Sequence, residues 1–192
     1  MSSALRETIS ISDYLAGELE SETKHEYLGG AVYAMAGGSN RHNRIATDVI
    51  GSLGGQLRGK PCQVFHSDTK IRISMPTHTR FYYPDASVTC RPNPQSDSFQ
   101  DDPSVIVEVL SESTCRTDML EKCEAYLTIP KLSAYVMFEQ HEKAAVCYHR
   151  MDQGFERRLF TGDATLHLPA VDAVLSLDEI YAGVEPEPLA PV

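Results

Sequence analysis

Apolar positions recur along this chain at spacings that switch between helical and strand-like, and each switch marks an element. Ser10, with Asp13 three residues on and Leu15 and Leu19 at helical spacing, predicts a short N-terminal helix ending near Ser21. From His25 to Met35 two strand-like runs flank Gly29-Gly30, a pair suited to the positive φ of a two-residue turn, so a β-hairpin is expected. Beyond Gly37-Gly38, Ser39 can cap a long helix in which Ile45, Val49, Leu53 and Leu57 repeat every four residues until Gly59 and Pro61 stop it.

The pattern then turns to strands. Val64-Phe65 and Ile71 to Ile73 read as two of them, Pro76 to Arg80 as a loop, and Tyr82 to Thr89 as a further strand beginning at Pro84-Asp85. Arg91 to Pro103 has almost no apolar residues and is expected to be an exposed loop able to act as a flap. Ser104 to Leu110 is a nearly unbroken β-branched run, the pattern of a central strand covered on both faces, with Glu108 inside it. Thr117 or Asp118 opens a helix with Leu120, Cys123, Tyr126 and Leu127 on one face and Lys122 on the other, ended by Pro130. Ala134 to Phe138, Ala144 to His149 and Glu156 to Phe160 predict an antiparallel meander turning at Asp152 to Gly154, and Leu177 to Tyr181 a last helical turn. The expected architecture is α+β, one domain over residues 1–183 and a disordered tail over 184–192.

Composition narrows the classes. The 192 residues, 42% hydrophobic, suffice for one substantial core. No stretch approaches the ~18 uninterrupted apolar residues of a membrane helix, and the N-terminus lacks a basic region before an apolar run, so a cytoplasmic protein is expected. The cysteines at 62, 90, 115, 123 and 147 are odd in number, widely spaced and never CxxC, which predicts free thiols and no zinc cage. A net charge of −10 opposes a phosphate-rich partner, but Arg41 to Arg91 is locally basic, so any DNA contact should come from that middle stretch.

Two carboxylates carry candidate chemistry. Glu108 lies within an apolar strand, where an ionised group must be paired, hydrogen-bonded or bound to metal; the alternative is a solvent-facing place on an edge strand. Asp85 begins another strand and can meet Glu108 if the two strands are neighbours, although Pro-Asp pairs also arise in ordinary turns. Two such acids suit a hard cation that retains a water for attack on a phosphodiester. Arg41 and His42 fall in the first turn of the long helix, where free backbone N–H groups favour an anion, or where a polar helix start is merely solvated.

Phe81 to Val88, Val105 to Ser111, and Asp118 through Lys122 to Tyr126, with Lys24-His25-Glu26-Tyr27, Gly29-Gly30 and Arg41-His42-Asn43 upstream, resemble the large, mostly bacterial Uma-type family of restriction-endonuclease relatives. The similarity runs from Ser12 to about Tyr148. It implies a PD-(D/E)xK nuclease core, a mixed sheet flanked by helices, with Asp85, Glu108 and the Val109 carbonyl on Mg²⁺ or Mn²⁺. One departure stands out: two residues after Glu108, where the motif has lysine, this chain has Leu110. Lys122, one helix later, is the candidate replacement, against an ordinary surface pair with Asp118. The resemblance also implies that Glu26 joins the acidic cluster, and Lys70, after Asp68, echoes the family as a DNA contact. DNA is the expected substrate and a homodimer the expected assembly. The rivals are an inactive nuclease fold serving as a DNA- or protein-binding regulator, and a hydrolase of small phosphoesters, which predicts a closed pocket.

Overall fold

A computed structural model describes residues 8–110 and 118–185. Helix α1 (Ile11–Glu20) opens with the Ser10 side chain accepting the Asp13 N–H, and strands β1 (His25–Leu28) and β2 (Ala31–Ala34) form the expected hairpin, with Gly29 and Gly30 both at positive φ. Helix α2 (Asn40–Leu57) is capped by Ser39 and buries Ile45, Val49, Leu53 and Leu57, the four-residue repeat read from the sequence. Strands β3 (Gln63–His66), β4 (Lys70–Ser74), β5 (Thr79–Tyr82), β6 (Ala86–Thr89), β7 (Phe99–Gln100) and β8 (Pro103–Val109) follow. A π-helical turn, Asp118–Lys122, runs into α3 (Cys123–Tyr126), and then come β9 (Ala134–Phe138), β10 (Ala144–Arg150), β11 (Phe155–Thr161), β12 (Thr165–Leu168), β13 (Ala173–Ser176) and α4 (Leu177–Ile180).

Three sheets result, ordered β2-β1-β5-β4-β7, β11-β10-β9-β8-β6-β3, and β12-β13. Strand β8 is central in the six-stranded sheet, antiparallel to β6 and parallel to β9. Its side chains alternate between two cores. Val105, Val107 and Val109 face α2 and the β12-β13 hairpin, whereas Ile106 and Leu110 face the other way, into a cluster with Ile71, Ile73 and Tyr82 of the five-stranded sheet and Cys123 and Tyr126 of α3. Glu108 falls on that second face, between the two sheets. On the outer side of the five-stranded sheet Tyr14 of α1 packs with Tyr27 and Phe81.

Several expectations change. The strand expected over Tyr82 to Thr89 is two strands in different sheets, β5 and β6, and the loop expected to reach Arg80 ends at β5. Pro84 has no N–H to continue a ladder, so the chain leaves one sheet at Tyr82 and enters the other at Ala86. The flap expected over Arg91 to Pro103 is pinned: Phe99 and Gln100 pair with β4, and Asp101 takes two bonds from Arg72, at 2.6 and 2.8 Å. Cys62 and Cys90 form a disulfide where β3 starts and β6 ends, correcting the expectation of free thiols, while Cys123 and Cys147 are buried and free. Local spacing gave no sign of that bridge because the antiparallel β3-β6 register creates it. Val184 packs against the core and its N–H reaches the Tyr181 carbonyl; residues 186–192 of the expected tail, with Cys115 and Thr117, lie outside the described residues. The hairpin β12-β13 went unread. No helix among the described residues is long and apolar enough to cross a membrane.

Candidate active site

The sheet switch at Tyr83-Pro84-Asp85 places Asp85 beside the C-terminal end of β8. Its Oδ2 accepts the Val109 N–H at 2.7 Å, the peptide immediately after Glu108. His42, in the first turn of α2, brings Nε2 to 3.2 Å from the same oxygen. Burial works against a charge on His42, but the Asp85 carboxylate outweighs it and holds the imidazole above its ordinary value.

Glu108 is only 3% exposed, and its compensation is specific. Tyr126 donates to Oε1 at 3.1 Å and the Lys122 ammonium stands 3.7 Å from that atom. Lys122 is itself 6% exposed, lies 2.9 Å from Glu26 Oε1 and sits over the Tyr82 ring. The expectation that Lys122 points away from the core face is therefore overturned, and so is the burial expected of Leu120, which is 58% exposed. The π-helical turn explains both: its wider winding shifts the side chains off the α-helical phase from which they were placed.

Asp85, Glu108, Val109 and Lys122 line one cleft of about 1090 Å³, together with Arg41 and His42 from α2. Glu26 joins through Lys122. Lys70 does not reach the cleft wall: it is 4% exposed and donates to the Tyr83 hydroxyl at 3.0 Å, so the place expected for a DNA contact is a support beneath Tyr83. Among the described residues no three acidic, histidine or cysteine side chains converge as a metal cluster. The oxygen donors along the cleft nevertheless suit a hard cation, which takes one or two carboxylates and keeps several waters.

Residues 11–178 match the Uma2 family, described as "Putative restriction endonuclease". The chain belongs to this family. The uncharacterised Synechocystis protein slr1290 is 34% identical over 92% of this chain and 93% of its own length, and sll1609 of the same organism is 30% identical over 71% and 78%. A crystal structure described as a putative nuclease from Anabaena variabilis superposes with a TM-score of 0.71 at 16% identity, covering 89% of this chain and 98% of that one, which shows that the two share a fold.

Three supports of this Uma2 site escaped the sequence reading. Tyr126 was placed in the core but not seen as the partner of Glu108. Gln140 donates to the Leu110 carbonyl at 2.6 Å and accepts at 2.9 Å from Ser39, 101 residues before it, tying the end of β8 to the cap of α2. Tyr83 donates to Glu18 at 2.5 Å, and Glu18 also takes bonds from the His25 backbone N–H and ring. Each is a long-range pairing that no local spacing announces.

The Glu18 bonds carry a pH prediction. Burial alone would raise the Glu18 carboxyl, but the bonds from Tyr83 and His25 outweigh it and hold it below its ordinary value. Because the folded-state value is the lower one, this stabilisation is complete above about pH 4.5 and is lost as pH falls through the folded-state value. Glu18→Gln should lower stability by about 1 kcal/mol at neutral pH, the solvent-screened worth of charge-assisted bonds. Urea melts of both proteins should show the gap closing below pH 4.5; a gap that persists unchanged in acid rejects this account of Glu18.

Proposed function

We propose that the protein is a divalent-metal-dependent endonuclease that hydrolyses DNA phosphodiester bonds. The observation that carries the reading is Glu108, a carboxylate buried in a central strand beside a buried lysine, on the same cleft as Asp85. Asp85, Glu108 and the Val109 carbonyl would hold Mg²⁺ or Mn²⁺, which when bound supplies a fixed positive charge against the developing negative charge of the phosphate and acidifies a water. The Val109 N–H bond fixes the Asp85 carboxylate, and the Tyr126 hydroxyl fixes that of Glu108. Lys122 takes over from the lysine that Leu110 replaces: its ammonium stabilises charge on the phosphate or orients the attacking water. Glu26 aims that ammonium. Arg41 and His42, at the start of α2, contact the strand backbone.

The test is incubation of the purified protein with supercoiled and single-stranded DNA, with and without Mg²⁺ or Mn²⁺. Cleavage should require the metal and fall by about two to three orders of magnitude in Asp85→Asn and Glu108→Gln, a range typical of losing one preorganised electrostatic contact, with thermal melts showing both variants folded. Undiminished cleavage by either variant rejects the assignment. A second reading, a DNA-binding protein on the same fold without catalysis, is favoured by Leu110, whose side chain is buried in the core. It predicts no heat of divalent binding that Asp85→Asn abolishes.

A further inference from the structure

We infer that the cleft takes single-stranded DNA in preference to duplex, an inference that rests on the nucleic-acid reading above and names its substrate class. The first ground is where the positive charge sits. Arg44, Lys60, Arg72, Arg80, Lys143 and Arg158 are each paired with a carboxylate of this chain, and Lys70 and Arg150 are engaged by the Tyr83 hydroxyl and by the carbonyls of Ile129 and Leu132. Along the cleft, among the described residues, the basic side chains are Lys24, Arg41 and Lys122 with the histidines His42 and His141, set beside Glu22, Asp85 and Glu108, and Lys24 and Lys122 are themselves paired with Asp68 and Glu26. A duplex-binding surface neutralises roughly 6–10 phosphates to gain its affinity. Here two or three can be met, on a chain whose net charge of −10 repels the rest.

The second ground is access. Glu108 and Lys122 lie at the floor of the cleft, 3% and 6% exposed. A volume of about 1090 Å³ is near that of ordinary small-ligand sites, about 300–1,000 Å³, so a duplex would lie across the mouth of the cleft rather than enter it. One strand, free of its complement, can bring a phosphate down to those groups.

The third ground is an exposed aromatic side chain on the hairpin that carries Glu26, outside the lining of the cleft itself. Tyr33 is directly opposite Glu26 in the β1-β2 register, so both project from the same face of the hairpin, and Tyr33 is 53% exposed. An exposed ring beside the acidic cluster offers a stacking platform, and only an unstacked base can use one.

The test measures binding rather than cleavage, by fluorescence anisotropy of a labelled thymidine oligonucleotide and of a labelled blunt duplex, both with Ca²⁺ in place of Mg²⁺. Wild-type protein should bind the single strand at least about tenfold more tightly, with a log-log salt slope of about −1.4 to −2.1, as two or three phosphate contacts on a single strand give. Tyr33→Ala should weaken single-strand binding about tenfold, within the range measured for one base-aromatic stack, and leave duplex binding unchanged. Equal or tighter duplex binding, or no effect of Tyr33→Ala, overturns the inference. The two readings fail separately. Preference for the single strand without metal-dependent cleavage of any DNA removes the nuclease reading and keeps this one; cleavage with a preference for duplex does the reverse.

Discussion

Lys122→Met is expected to destabilise the protein by about 3–5 kcal/mol, the cost of removing one partner from a buried ion pair. Methionine matches the stem of lysine in volume but leaves Glu26 and Glu108 facing a site from which the ammonium has gone. Two carboxylates, 14% and 4% exposed at their side chains, would then repel one another in a setting poor in water. Chemical denaturation gives the magnitude, and the Glu26→Gln/Lys122→Met double variant checks the cause. Removing one of the two negative charges should recover at least about 1 kcal/mol relative to Lys122→Met alone, a coupling of the size seen for contacting residues. If the double variant is no more stable than the single one, repulsion between those acids is not what the lysine prevents. On the proposed function, Lys122→Met also lowers cleavage by about a hundredfold or more under conditions where the variant remains folded.

Tyr126→Ala is expected to cost about 3–5 kcal/mol, the range for removing a fully buried aromatic ring. Tyr126 is fully buried, with its ring 5.6 Å from that of Tyr82 in an edge contact and 5.2 Å from that of Tyr135. It joins the five-stranded sheet, α3 and the six-stranded sheet in a single cluster. Tyr126→Phe keeps the ring and removes the hydroxyl with its bond to Glu108, so it should cost about 1.5–3 kcal/mol, the worth of a hydrogen bond to a charged acceptor. The comparison by thermal and urea melts separates the two contributions. Should Tyr126→Phe prove as damaging as Tyr126→Ala, the hydroxyl and not the ring would carry the stability.

Much of the fold was legible because the elements that carry it obey local rules. The Ser39 cap and the four-residue repeat of α2, the Gly29-Gly30 turn, and the β-branched run of β8 are each fixed by neighbours within a few residues in sequence. What went unread depended on partners far away. Leu120 and Lys122 were placed by α-helical phase, and the π-helical turn moved both. The cysteines were read by spacing, and the β3-β6 register joined two of them. Lys70 was expected to contact DNA, yet β4 turns it inward beneath Tyr83.

The sequence by itself determined that a carboxylate would stand within an apolar, β-branched strand, and sheet order decided between its two readings, central and buried rather than edge and solvent-facing. It also carried Pro84, a residue without an N–H to continue a ladder, although the single strand expected over Tyr82 to Thr89 ran across the interruption this makes. Only the tertiary structure decided that the interruption is a crossing between two sheets, which delivers Asp85 to the peptide following Glu108 and sets Lys122 between Glu108 and Glu26. The reason is one of range: strand propensity and helix caps act over a few residues, whereas convergence of side chains from positions 26, 85, 108 and 122 follows from sheet order and register, which arise only when the whole core packs.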